Sequence, residues 1–193
     1  MSINFDAGFR FIAVDVETAN YDVSSICQIG LAFVNFDASI DTYSTYVDPC
    51  TSFADGNTRL HGIDARTVRG APVFAQILPE LRSVLEAHQL VQHSRFDEKA
   101  FDAACSFAGV PPLKSAWENS VTIARKAWPE LKGNGGHGLG NLKKVLGLQF
   151  NHHDAGEDAR AAAEVVLMAE KRMGAKFNMY SGSRQLAFEF NEK

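Results

Sequence analysis

Three kinds of feature are scarce in this 193-residue chain, and each scarcity narrows what it can be. It has three cysteines, Cys27, Cys50 and Cys105, an odd number, widely spaced and without a CxxC pair. That excludes a disulfide framework or a cysteine zinc cluster and suits reduced thiols in a cytoplasmic protein. No apolar run approaches the ~20 residues that span a bilayer. Asp6 and Arg10 interrupt the stretch where a secretory signal would place its apolar core. Positive charge is not in excess: 19 Lys and Arg stand against 23 Asp and Glu, a formal net charge of −4. A generic polycationic nucleic-acid binder is thereby excluded, but an enzyme whose carboxylates hold metal ions on a nucleic acid is not. Repeats and low-complexity stretches are absent, and 46% apolar with 22% charged residues is ordinary for a folded domain.

What is present reads as strands first and helices later. Residues 9–17, Ile26 to Phe36 and Ile40 to Val47 are rich in β-branched and aromatic residues, which predicts an antiparallel meander turning at Phe36-Asp37-Ala38. Asp48-Pro49 ends it, and 50–63 reads as a loop. Pro79 predicts a kinked or split helix over 73–87. Leu90-Val91-Gln92 is a short strand, after which Phe101, Ala104, Cys105 and Ala108 recur at helical spacing as far as Gly109. A helix over 120–128 stops at Pro129, and a Gly-rich loop occupies 133–138. A short helix carrying Leu139, Leu142, Val145 and Leu146 closes at Gly147, and an Ala-rich helix covers 157–172. This order implies a mixed α/β layer fold.

Acidic residues mark the ends of several of these elements. Asp15 and Glu17 are two apart in the first strand, so both point to one face and Val16 to the other. Asp97 opens the helix after the short strand, where a carboxylate gains from the helix N-terminus. Asp158 enters the longest helix on the face of Ala162, Val165 and Ala169, and an inward acid there needs a partner. His153 lies in the approaching loop. Taken singly, each of these has a bland explanation: a solvated strand end, an N-cap, a helix-start carboxylate, a surface histidine. Together, four acids can share one site only if cations neutralise them, and hard oxygen ligands select Mg²⁺ or Mn²⁺ over zinc. Two such ions beside a neutral histidine are suited to phosphodiester hydrolysis.

These motifs, in this order, resemble the DEDD exonucleases of the histidine subtype, typified by the DNA polymerase III epsilon proofreading subunit. Ala13-Val14-Asp15-Val16-Glu17-Thr18 is similar to the first motif, Val91-Gln92-His93-Ser94-Arg95-Phe96-Asp97 to the second, and His153 to Ala159 to the third, HxAxxDA. Leu60-His61-Gly62-Ile63 with Pro72 resembles the linker between the first two, and the likeness covers residues 9–172. The resemblance implies an α/β, ribonuclease H-like fold over residues 1–173, a mixed five-stranded sheet flanked by helices on both faces. It implies 3′→5′ hydrolysis releasing nucleoside 5′-monophosphates. Asp15, Glu17, Asp97 and Asp158 would hold two Mg²⁺ or Mn²⁺ ions, Asp15 bridging both, with His153 as general base. Thr18, His61 and Phe96 would hold the terminal nucleotide. The second motif is one residue tighter than in many relatives, so no contact of their Asn is carried over. Similarity to proofreading-type members implies single-stranded DNA as substrate and a role in replication or repair. An RNA trimmer like ribonuclease T or oligoribonuclease is the alternative. An intact set of acids argues against a binding module that has lost catalysis, while a hydrolase of small nucleotides is a third class. Lys132, Lys143 and Lys144 flank the Gly-rich loop, either to follow phosphates or as a solvated helix start.

Residues 174–193 lie beyond the match. There Gln185-Leu186-Ala187-Phe188-Glu189-Phe190 resembles the QLxLxF peptide with which bacterial replication proteins dock the sliding clamp. Gln185 opens it, and Leu186, Phe188 and Phe190 alternate, as an extended peptide presented to an apolar groove requires. The same pattern also suits an added edge strand or a tail folded back on its own domain.

Overall fold

The strand β1 (Phe11–Thr18) is central because it is apolar on both sides. Phe11 and Ala13 enter one core cluster, and Ile12, Val14 and Val16 enter another. A computed structural model describes residues 8–177, so the hexapeptide at 185–190 lies outside the described residues. β2 (Ile26–Val34) and β3 (Ile40–Tyr46) pair antiparallel as the meander expected, turning through Ala38 at a positive φ of 69°. On the other side of β1, β4 (Leu90–Gln92) and β5 (Trp117–Asn119) pair in parallel. The result is a mixed five-stranded sheet in the order β3-β2-β1-β4-β5.

Among the described residues six α-helices connect and cover these strands: α1 (Asp55–His61), α2 (Phe74–Ala87), α3 (Phe96–Ala108), α4 (Ser120–Ala127), α5 (Leu139–Leu146) and α6 (Ala155–Met173). α2 and α3 bury Ile77, Leu78, Leu81, Leu85, Phe101 and Ala104 against one face of the sheet. α4, α5 and α6 bury Ile123, Leu142, Ala162, Val165 and Val166 against the other. Among the described residues all three cysteines are free, and no helix is long and apolar enough to cross a membrane.

Two departures from the sequence reading have physical causes, and one open choice is decided. α1 lies within the predicted loop 50–63; it buries none of its residues, so no apolar stripe announced it. β5 has three residues and too little alternation to be seen. Of the kinked or split alternatives at Pro79, α2 is one helix and not two. Proline inside a helix costs about 3 kcal/mol. The buried residues on both sides of Pro79, Ile77 and Leu78 before it and Leu81, Val84 and Leu85 after it, hold the helix together.

The tightest approach of helix to sheet occurs at Gly30 in β2. A Cβ there would stand 2.0 Å from the carbonyl carbon and oxygen of Ala155 and 2.4 Å from the Gly156 nitrogen. Only a residue without a side chain lets the first turn of α6 lie on the strand. At its far end α6 is tied back by Glu170, which pairs at 2.6 Å with Arg10 just before β1, both side chains less than a tenth exposed. Gly30→Ala is therefore expected to destabilise the fold by about 3 kcal/mol or more, at or beyond the upper end of ordinary overpacking. A denaturant titration checks this, and an unchanged midpoint would mean that α6 can move off the sheet at little cost.

Candidate active site

Asp15 and Glu17 continue the alternation of Phe11 and Ala13, so they emerge on the α6 side of the sheet, as period-two geometry requires. Asp15 is directly opposite Gly30 in the β1–β2 register. The helix turn seated on Gly30 thus begins beside Asp15, and Asp158, near the start of α6, reaches the same place. Gln28 of β2 fixes that helix start. Its carbonyl accepts from the Ala155 amide at 3.1 Å, and its amide donates to Asp154 Oδ2 at 3.3 Å. Asp154 is the N-cap of α6 and accepts from the Glu157 amide at 3.0 Å.

Asp97 arrives from the other side. β4 pairs only with Ile12 and Ala13 of β1, leaving the Val16 amide beyond its end, and Asp97 Oδ1 accepts that amide at 3.1 Å. The acid is on the first turn of α3, whose N-cap position belongs to Arg95. The tight second motif turns at Ser94 with φ of 141°, a conformation normally left to glycine, and the Ser94 hydroxyl accepts from the Phe96 amide at 3.1 Å.

Asp15, Glu17, Thr18, Asp97, His153 and Asp158 all line one cleft of about 600 Å³. Ligand oxygens of Asp15, Glu17 and Asp158 lie within 4.8 Å of one another. Such crowding shows in their acidity. Burial, then Asp97, Asp158 and Glu17, push Asp15 well above the usual carboxylate range. Burial, then Asp158, Asp97 and Asp154, push Glu17 up to about 8. Asp97 rises to about 7, again chiefly through burial, while its bond to Val16 opposes the rise. Asp158 is also raised by burial, against the pull of its contacts with His153 and His152. Among the described residues no Lys or Arg pairs with any of the four.

The histidines divide by environment. His61 stands outside the lining of the cleft: its Nδ1 accepts the Ile63 amide at 3.0 Å, so Nε2 carries the proton and donates to the Thr18 carbonyl at 3.1 Å. With Asn57, which donates to the same carbonyl at 2.9 Å, it braces α1 against the end of β1. His93 donates through Nε2 to the His137 carbonyl at 2.9 Å, and burial holds it down to about 4. It ties the cleft wall to the Gly-rich loop. His153 faces the cleft, with its backbone at φ 71° and its amide donating to Asp158 Oδ2 at 2.8 Å. Burial, and then the charge of His152 beside it, lower its basicity from the usual imidazole value. The rim is apolar and open: Tyr21, Leu60 and Phe96 are 88%, 55% and 39% exposed. Lys143 is engaged with the Phe150 carbonyl and ring rather than reaching outward.

Sequence reasoning passed over Gln28 and Asn57, because their roles are contacts between elements far apart in the chain, and His152, whose contacts depend on the backbone turn at His153. His152 had one visible signal, its place beside His153.

The exonuclease family model matches residues 12–166. A PolC-type DNA polymerase III from Clostridium perfringens is 27% identical over 174 residues, covering 89% of this chain and 12% of that protein. This chain therefore spans about an eighth of the length of such relatives. Among solved structures, exonuclease X in complex with 5′ overhanging duplex DNA superposes with a TM-score of 0.67 at 20% identity, over 85% of this chain and 93% of that one. The nuclease domain of 3′hExo, a DEDDh family member bound to rAMP, gives 0.69 at 19%, over 88% and 95%. These two likenesses establish the fold as ribonuclease H-like. The family match runs from β1 well into α6 and takes in every acid of the cleft, so this chain belongs to the exonuclease family.

Proposed function

We propose that this domain shortens single-stranded DNA from its 3′ end, releasing nucleoside 5′-monophosphates. Asp15, Glu17, Asp97 and Asp158 would be ligands of two Mg²⁺ or Mn²⁺ ions, and His153 the general base. The observation that carries this reading is the convergence of four carboxylates on one cleft floor where, among the described residues, no Lys or Arg pairs with them. Their oxygen-only donor set fits hard divalent ions. When bound, such ions stabilise the charge on the attacking and leaving oxygens of the phosphodiester. Burial lowers the basicity of the His153 imidazole, and among the described residues nothing hydrogen-bonds its ring, which suits it to accept the proton of an attacking water. Phe96 and Leu60 offer apolar surface for the terminal base, and Thr18 lines the cleft beside Glu17. His61 would act on the nucleotide indirectly, by holding Thr18 and α1.

DNA rather than RNA is supported by the relatives named as DNA polymerase III. The tail, taken as residues 174–193, would add a sliding clamp as partner through Gln185, Leu186, Phe188 and Phe190, on the strength of their resemblance to the QLxLxF peptide and their alternation.

On 5′-labelled single strands the expected result is a descending ladder that needs Mg²⁺ or Mn²⁺, is faster on DNA than on the matching RNA, and is absent in Asp97→Asn. His153→Ala is expected to lower kcat by about 10²–10⁴-fold, the usual worth of a general base, while calorimetry shows Mn²⁺ still bound. A faster RNA ladder would turn the assignment to an RNA trimmer.

The raised acids also predict a pH dependence. A carboxylate whose folded pKa exceeds its unfolded one binds more protons when folded, so stability falls as pH rises between the two values. For Glu17 that window runs from 4.5 to about 8. Below 6.5 the depressed His93 works in the opposite sense. In EDTA the melting midpoint should therefore drop between pH 6.5 and 8, and saturating Mn²⁺ should remove the drop; a flat profile in EDTA would show that the acids are not crowded in solution.

For the tail, deleting residues 184–193 is expected to abolish binding to a bacterial sliding clamp while short oligonucleotides are digested as before. Clamp binding that survives the deletion would remove that partner.

A further inference from the structure

We propose that His152 is a positioning residue for His153, holding the ring of the general base in place by stacking against it. The inference rests on the role of His153 given above.

A general base is ordinarily oriented by a third group that hydrogen-bonds its second nitrogen. Among the described residues nothing hydrogen-bonds the His153 ring; its backbone amide, not its side chain, is bound to Asp158. What the ring does have is a neighbour. The imidazoles of His152 and His153 lie face to face, centroids 4.0 Å apart and planes 12° from parallel. Consecutive side chains do not usually face one another, since in extended chain they point to opposite sides. Here they do, because His153 takes a left-handed backbone conformation, φ 71°, that a β-carbon makes costly. The amide bond to Asp158 holds that conformation.

His152 is itself fixed from two further sides. Its Nδ1 is 2.9 Å and 3.0 Å from the two oxygens of Asp158, and the Phe150 ring meets it edge-on, centroids 5.7 Å apart. Asp158 is held in turn by burial and by the His153 amide. The His152 ring is thus a rigid plate, anchored on one proposed metal ligand, against which the base lies. A hydrogen-bonding orienter would occupy one nitrogen of the base; a stacked plate leaves both edges of the ring available for water.

Two readouts test this. In metal-free protein, the His153 ring protons should be shifted upfield by the neighbouring ring. That shift is expected to vanish in His152→Ala and to persist in His152→Phe, which keeps a flat ring and loses only the anchor. On single-stranded DNA with Mn²⁺, His152→Ala should lower kcat by about tenfold with KM within about twofold, in keeping with the cost of slight misplacement of a reacting group. His152→Phe should recover most of that loss. In a His153→Ala background the same His152→Ala change should lower kcat no further, because a residue that acts only through His153 has nothing left to position. Should His152→Ala not fold, His152→Gln, which lacks a ring but can still donate to Asp158, replaces it in every arm.

Unmoved His153 resonances in His152→Ala would overturn the proposal, as would losses that multiply in the double variant. So would a large fall in Mn²⁺ affinity by calorimetry in His152→Phe, which would make His152 a ligand. If His153→Ala alone left kcat intact, the general-base reading would fall, and the resonances would still decide whether His152 holds the ring.

Discussion

Contact between the first turn of α6 and β2 at Gly30 is the constraint on which the rest of the site depends. An α-helix normally stands off a sheet by the length of two sets of side chains. Here a glycine, a glutamine that bonds the helix start on both sides, and the Asp154 cap remove that distance. Asp158 is thereby brought to Asp15 and Glu17, against the repulsion of like charges and the cost of taking them out of water. The remainder of the molecule holds this arrangement in place. Apolar residues on both faces of β1 anchor the strand that carries two of the acids, and the buried Arg10–Glu170 pair secures the other end of α6.

Carboxylates forced together in this way keep protons that carboxylates in water would lose, as the values near 7 and 8 for Asp97 and Glu17 show. A site of this kind is unfavourable on its own and becomes favourable when a divalent charge enters it. The proposed affinity for metal and the predicted instability without it would be two consequences of one geometry. The cleft separates this charged floor from an apolar rim at Tyr21, Leu60 and Phe96, so a phosphodiester and the base attached to it would meet surfaces of opposite character.

Histidines in and around the cleft show how environment sorts one side-chain type into different work. His61 and His93 spend ring nitrogens on backbone carbonyls and join segments: the first α1 to β1, the second β4 to the Gly-rich loop. Among the described residues His153 spends neither, and it faces the cleft. His152 adjoins it in sequence yet is fixed by Asp158 and Phe150. No difference of residue type separates them.

The sequence by itself determined the order of elements, the faces of the strands and the identity of the acids. Alternation in Phe11–Glu17 placed Asp15 and Glu17 on one side of β1, and the spacing of Ala162, Val165 and Ala169 turned Asp158 inward; both are periodicities of a local backbone, which a sequence carries directly. It did not show α1, whose residues bury nothing, or the continuity of α2 through Pro79, which the core enforces. Nor did it show Gln28 at the mouth of α6, the brace of Asn57 on Thr18, or the plate that His152 makes for His153. The Gln28 and Asn57 contacts join residues far apart in the chain, and that of His152 needs a backbone conformation fixed by Asp158. Periodicity reports which way a side chain points. Only the folded chain decides what it meets there, because that depends on distances between elements that no local pattern encodes.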